Sequence, residues 1–123
     1  MTSIQSVYPR WLRQCVALQG SVRLGGGDPE PVRWIDLSVR GAFCETPRTA
    51  PPGEPAHAVL ELPDGALTVQ AVVTRSGTAL RDAPHPELDQ RRIRVAGMGL
   101  RFVSLPADVQ RRLEQFLSAL GEA

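Results

Sequence analysis

The sequence predicts a mainly β protein: a six-stranded antiparallel β-barrel followed by one C-terminal α-helix. Three observations carry this. Between Arg13 and Val103 apolar and polar residues alternate in short runs, the period of half-buried strands. Gly, Pro and Asp cluster between the runs, where chain reversals need their conformations. After Ser104 the apolar spacing lengthens to that of a helix. Short strands joined by such turns favour a small barrel, with the helix laid over an opening or a flank.

The first strand spans Arg13 to Leu24, where Val16, Leu18, Val22 and Leu24 share one face. Gly20 interrupts that face and marks a bend or bulge. Gly25 to Pro31 is a turn. The second strand runs from Val32 to Ser38 and the third from Gly41 to Thr46. The prolines between Pro47 and Pro55 exclude a central strand or a helix there. His57 to Leu62 alternates again, and Pro63-Asp-Gly65 makes a tight connection into a fifth strand from Ala66 to Arg75. Ser76 to Gln90, rich in Pro, Asp and His, reads as an exposed loop. Arg91 to Val103 is the last strand. Its inward set changes parity from Ile93 and Val95 to Met98, Leu100 and Phe102, which predicts a β-bulge near Ala96-Gly97. Ser104, Pro106 and Asp108 open the helix, Val109, Leu113, Phe116, Leu117 and Leu120 form its apolar stripe, and Gly121 is its stop signal.

With 123 residues, the chain fits one domain covering 1–123, with a core from about 8 to 120 and a flexible arm over 1–7. An apolar fraction of 42% and a charged fraction of 22% are those of a soluble globular protein. No apolar run is long enough for a bilayer, and the N-terminus lacks a basic segment followed by an apolar one, so membrane insertion and signal-directed export are not expected. A cytoplasmic location follows, with Cys15 and Cys44 read as reduced core residues. All 14 basic residues are arginines, so any anion site must use guanidinium groups. The formal charge of +1 argues against a long nucleic-acid track.

Enzyme chemistry finds little support. The cysteines lie on strands, His57 and His85 lack an orienting acid nearby in sequence, and no zinc-ligand spacing is present. Without lysine there is no phosphate-binding P-loop. One stretch stands out. Asp36, Ser38 and Gly41 form D-x-S-x-x-G across the junction of the second and third strands. An ordinary turn, with Asp or Ser capping amides and Gly at positive φ, explains these residues about as well as a ligand site does. Their company shifts the balance. Pro9-Arg-Trp-Leu-Arg13 leads into the first strand, and Gly97-Met-Gly-Leu-Arg-Phe102 lies on the last.

Taken together, these residues resemble the PilZ family of bacterial cyclic di-GMP receptors, from about Tyr8 to Leu120. The resemblance implies a six-stranded barrel with a C-terminal helix. It also implies a site in which an N-terminal R-x-x-x-R motif faces a [D/N]-x-S-x-x-G motif. Asp36, Ser38 and Gly41 match the second motif in full. Arg10 and Arg13 stand for the first, but they are spaced R-x-x-R, so one position falls on Ser6 or on Pro9. The implied ligand is cyclic di-GMP, with no further cofactor. Arg10 and Arg13 would meet phosphates and guanine faces, Asp36 a guanine N–H edge, and Ser38 a phosphate or guanine oxygen, or else Asp36 itself. Gly41 would admit close approach of the backbone, and Trp11 would stack on a base or anchor the arm. Trp34 belongs to the core. The implied partner is a downstream bacterial protein, not a nucleic-acid polymer. The other reading is an interaction adaptor of the same fold that no longer binds nucleotide because its arginine motif is incomplete.

Overall fold

The computed structural model describes residues 13–87 and 91–121. Arg10, Trp11 and the proposed arm over 1–7 lie outside them. Six strands follow in chain order: β1 Gln14–Leu24, β2 Glu30–Leu37, β3 Gly41–Glu45, β4 Pro55–Leu62, β5 Gly65–Ala83 and β6 Arg91–Ser104. The helix α1 spans Ala107–Gly121. Every pairing is antiparallel, and the strands close into a barrel in the order β1-β2-β3-β6-β5-β4.

The interior is filled by the alternating apolar sets. Trp34, Leu60, Leu67, Leu100 and Leu113 are all essentially inaccessible to solvent, and burying each aliphatic side chain is worth about 1.5–3 kcal/mol. Leu113 and Leu117 carry α1 onto this core, with Val109, Phe116 and Leu120 packed at its margin. Polar contacts tether the helix to the β4–β5 turn and to β1. Arg112 donates to the Asp64 carboxylate at 3.0 Å and to the Gly65 carbonyl at 2.9 Å. Gln14 donates to the Leu117 carbonyl at 3.2 Å.

Four local expectations are corrected. Gly20 is regularly paired on both sides and makes no bulge. A Cβ there would lie 2.0 Å from the Val59 carbonyl oxygen and 2.3 Å from the Trp34 indole nitrogen. The glycine is clearance for that indole, which crosses β1 to donate to Val59 at 2.9 Å. The irregularity of β1 lies instead between Cys15 and Leu18. Ser76 to Ala83 is no loop: it continues β5, paired residue for residue with Arg91 to Met98. Its weak hydrophobic signal reflects a position beyond the barrel, where only one face of the two-stranded arm has anything to cover.

The parity change in β6 has no bulge behind it, because its register with β3 and with the arm is unbroken from Gly97 to Leu100 and from Arg91 to Met98, respectively. The strand feeds two cores from its two faces. Met98, Leu100 and Phe102 enter the barrel. Val95, with Ile93 and Ala79 beside it, packs outside on Ile35 and Phe43. Finally, Cys15 is exposed and only Cys44 is core, both as free thiols. Burial pushes the Cys44 thiol up to about 12.

Candidate functional site

Asp36, Ser38 and Gly41 come together because β2 and β3 are joined by only Ser38, Val39 and Arg40. Ser38 builds the link. Its amide donates to the Gly41 carbonyl at 2.9 Å, and its hydroxyl accepts from the amides of Arg40 at 3.0 Å and Gly41 at 3.3 Å. The same hydroxyl donates to the Gly41 carbonyl at 3.4 Å. With 1% exposure, the hydroxyl has used both lone pairs and its proton inside the turn. The Arg40 carbonyl accepts from the Phe102 amide at 2.8 Å, tying the turn to β6.

Gly41 is required for packing. It is not among the residues with positive φ, and a Cβ on it would sit 2.1 Å from the Leu100 carbonyl oxygen. The glycine lets β3 lie close against β6 where the turn delivers it.

What places Asp36 at the surface is a β-bulge. Along β2, Val32 and Trp34 point inward, and unbroken alternation would send Asp36 in and Leu37 out. The register with β3 shifts between Trp34 and Asp36, so Ile35 is an extra residue on β2. Leu37 is therefore fully buried, and the Asp36 carboxylate remains 27% exposed. The adjacent apolar pair Trp34-Ile35 was the signal of this bulge in the sequence. Arg13, just before β1, reaches the carboxylate and donates to Oδ1 at 2.6 Å.

The barrel wall carries the site further than the motifs indicate. Cα pairing runs in one row from Cys15 to Asp36, Phe43, Gly99 and Arg75. The Arg75 guanidinium lies 5.0 Å from the centre of the Phe43 ring, within cation–π range. No linear pattern points to Arg75, which is brought to this row by strand register alone. A separate cleft of about 570 Å³ opens at the other end of β2 and is lined by none of Asp36, Ser38 and Gly41.

The fold and the site define a small closed β-barrel with an arginine–carboxylate turn on its wall. Residues 7–119 match the PilZ domain family, and the chain belongs to that family. Among solved structures, the PilZ domain with c-di-GMP of YcgR from Escherichia coli superposes with a TM-score of 0.67 at 19% identity, covering 92% of this chain and 91% of that one. MrkH of K. pneumonia in its apo state gives 0.70 at 20% identity, covering 97% of this chain and 52% of that one. The Bacillus subtilis inhibitor of motility, MotI/DgrA, gives 0.62 at 17% identity, covering 89% and 49%. The chain thus spans about half the length of the last two. No match emerged among the curated proteins compared with the sequence. No helix among the described residues is long and apolar enough to cross a membrane.

Proposed function

We propose that this chain is a cyclic di-GMP receptor that passes its signal to a protein partner without an enzymatic step. One observation carries the reading. The β2 bulge ahead of the D-x-S-x-x-G turn holds the Asp36 carboxylate at the surface, and the Arg13 guanidinium stands directly on it, at 2.6 Å. A carboxylate accepts from the paired N–H donors of a guanine edge, and a guanidinium pairs with phosphate oxygens or with the guanine acceptors. The side chains hold each other in the unliganded state. Such an exposed pair is worth only about 0–1 kcal/mol, so a nucleotide can replace it at little cost.

Within this reading Asp36 recognises the base, Arg13 and Arg10 hold phosphate or stack on purine, and Ser38 and Gly41 shape the turn. The ligand seated on the barrel wall then makes the surface a partner reads. A second reading, the adaptor that binds no nucleotide, is favoured by the R-x-x-R spacing of Arg10 and Arg13.

Calorimetric titration with cyclic di-GMP separates the two. The receptor reading expects binding and thermal stabilisation, with Arg13→Ala or Asp36→Ala each weakening affinity by about one to two decades. No heat and no stabilisation at saturating ligand sinks it and leaves the adaptor. Binding that survives loss of Arg13 and Asp36 together would place the nucleotide elsewhere on the barrel.

A further inference from the structure

The cleft at the far end of β2 lies between the barrel wall and the β5–β6 arm, and its chemistry is unlike that of the turn. Its floor is a cross-strand row in which Gln19 pairs with Arg33 and Arg33 with Glu45. Arg81 descends from the arm and binds Glu45 with a fork, Nε to Oε1 at 2.6 Å and an η-nitrogen to Oε2 at 3.4 Å. Both partners are largely shielded, at 20% and 28% exposure. Glu45 is thereby committed to Arg81, although Arg33 is its direct cross-strand neighbour. The Arg33 guanidinium, on a half-buried residue of the cleft floor, has no hydrogen bond or ion pair among the described residues. The cleft thus gathers two guanidiniums and one carboxylate, with one positive charge left over.

The rest of the lining supplies shape. Pro31, Pro47, Val95 and Ala96 form flat apolar walls. Buried Thr46 accepts from the Arg48 amide at 3.2 Å, which leaves its hydroxyl proton to donate. The volume of about 570 Å³ falls within the range of small-molecule pockets, about 300–1,000 Å³. A half-buried guanidinium without an anion is the group most in need of a partner in such a setting.

We propose that this cleft is a second ligand site, for a small molecule carrying a phosphate or carboxylate on a flat apolar body. Arg33 takes the oxyanion, the Glu45–Arg81 fork braces the arm that closes one side, and the prolines and Val95 cover the body. The site shares no residue with the Asp36 turn and stands whether or not the turn binds nucleotide.

Amide-resolved NMR titration of the intact chain tests this with phenyl phosphate, benzoate and inorganic phosphate as probes. The expected result is saturable shifts at Arg33, Thr46 and Ala96 with phenyl phosphate or benzoate, at a Kd on the order of millimolar. Inorganic phosphate, lacking the ring, moves the same amides more weakly. The tighter of the two aryl probes identifies the head group. Arg33→Gln is expected to weaken binding about tenfold, while Asp36→Asn leaves it unchanged. No localised shift with any probe overturns the proposal. So do shifts undiminished in Arg33→Gln, or an equal loss in Asp36→Asn.

Discussion

The inside of the barrel and the small cluster on its outer wall are built from the same kinds of side chain, yet they read very differently. The interior draws on every strand and on α1. The outer cluster has three buried members, Ile35, Phe43 and Val95, with Ala79 and Ile93 beside them. The interior follows the strand period and is visible in the sequence. The outer cluster appears there only as breaks in that period. Ile35 beside Trp34, Phe43 beside Cys44, and Val95 out of step with Met98 all look like noise until the second core is known. The candidate site lies at the seam, since Asp36 sits between Ile35 of the outer cluster and Leu37 of the interior.

Breaking the interior has the largest expected effect. Trp34→Ala removes the indole that spans β1 and its bond to Val59, and is expected to lower unfolding free energy by about 3–5 kcal/mol, read from a urea melt. A loss confined to β1 and β2, with the other strands still protected, would show that the barrel is less cooperative than one core implies.

Next comes the wall shared by the two clusters. A Cβ on Gly97 would lie 1.9 Å from the Cys44 carbonyl oxygen and 2.9 Å from the Phe43 ring. Gly97→Ala is therefore expected to cost about 1–3 kcal/mol. It should perturb both Cys44 inside and Phe43 outside, as judged from their NMR signals. A response on one side alone would uncouple the clusters.

The outer cluster alone is probed by Val95→Ala, expected to cost about 1.5 kcal/mol at about 0.8 kcal/mol for each buried carbon removed. Hydrogen exchange should then quicken over 77–83 and 91–97 while the barrel stays protected. Uniform loss of protection would make the arm part of the global unit.

The smallest effect lies at the helix tether. Arg112 donates to Asp64 and holds its carboxyl below the usual range. A group whose folded pKa is depressed adds stability above its unfolded pKa, about 3.9 for Asp, and loses it as pH falls through the folded value. Melting temperature is thus expected to be unaffected by this pair from pH 7 to 5 and to fall below about pH 4, with that part of the fall absent in Asp64→Asn. An identical acid limb in the variant would remove the pair from the account.

Much of the candidate site was legible because turn chemistry is local. Asp36, Ser38 and Gly41 were recognisable by type and spacing, and Arg13 by its place before β1. Their division of labour was not. Ser38 fills its hydrogen-bonding capacity within the turn, and Gly41 serves β3–β6 contact, which depends on Leu100, a neighbour distant in sequence. Arg75 and the Arg33–Glu45 pair were invisible because strand register brings them together, and Arg81 because it reaches Glu45 from the arm. Only the β5 half of the arm, Ser76 to Ala83, reads as a loop in the sequence, because its backbone ladder needs no apolar side chains on the solvent face.

By itself the sequence determined the β content, the terminal helix, the interior set and the turn motif, since each follows from a period or a backbone preference within a few residues. Only the tertiary structure decided which way Asp36 points. One extra residue in β2 reverses every side chain after it, and whether that residue is accommodated depends on a strand pairing and an outer cluster assembled from four strands.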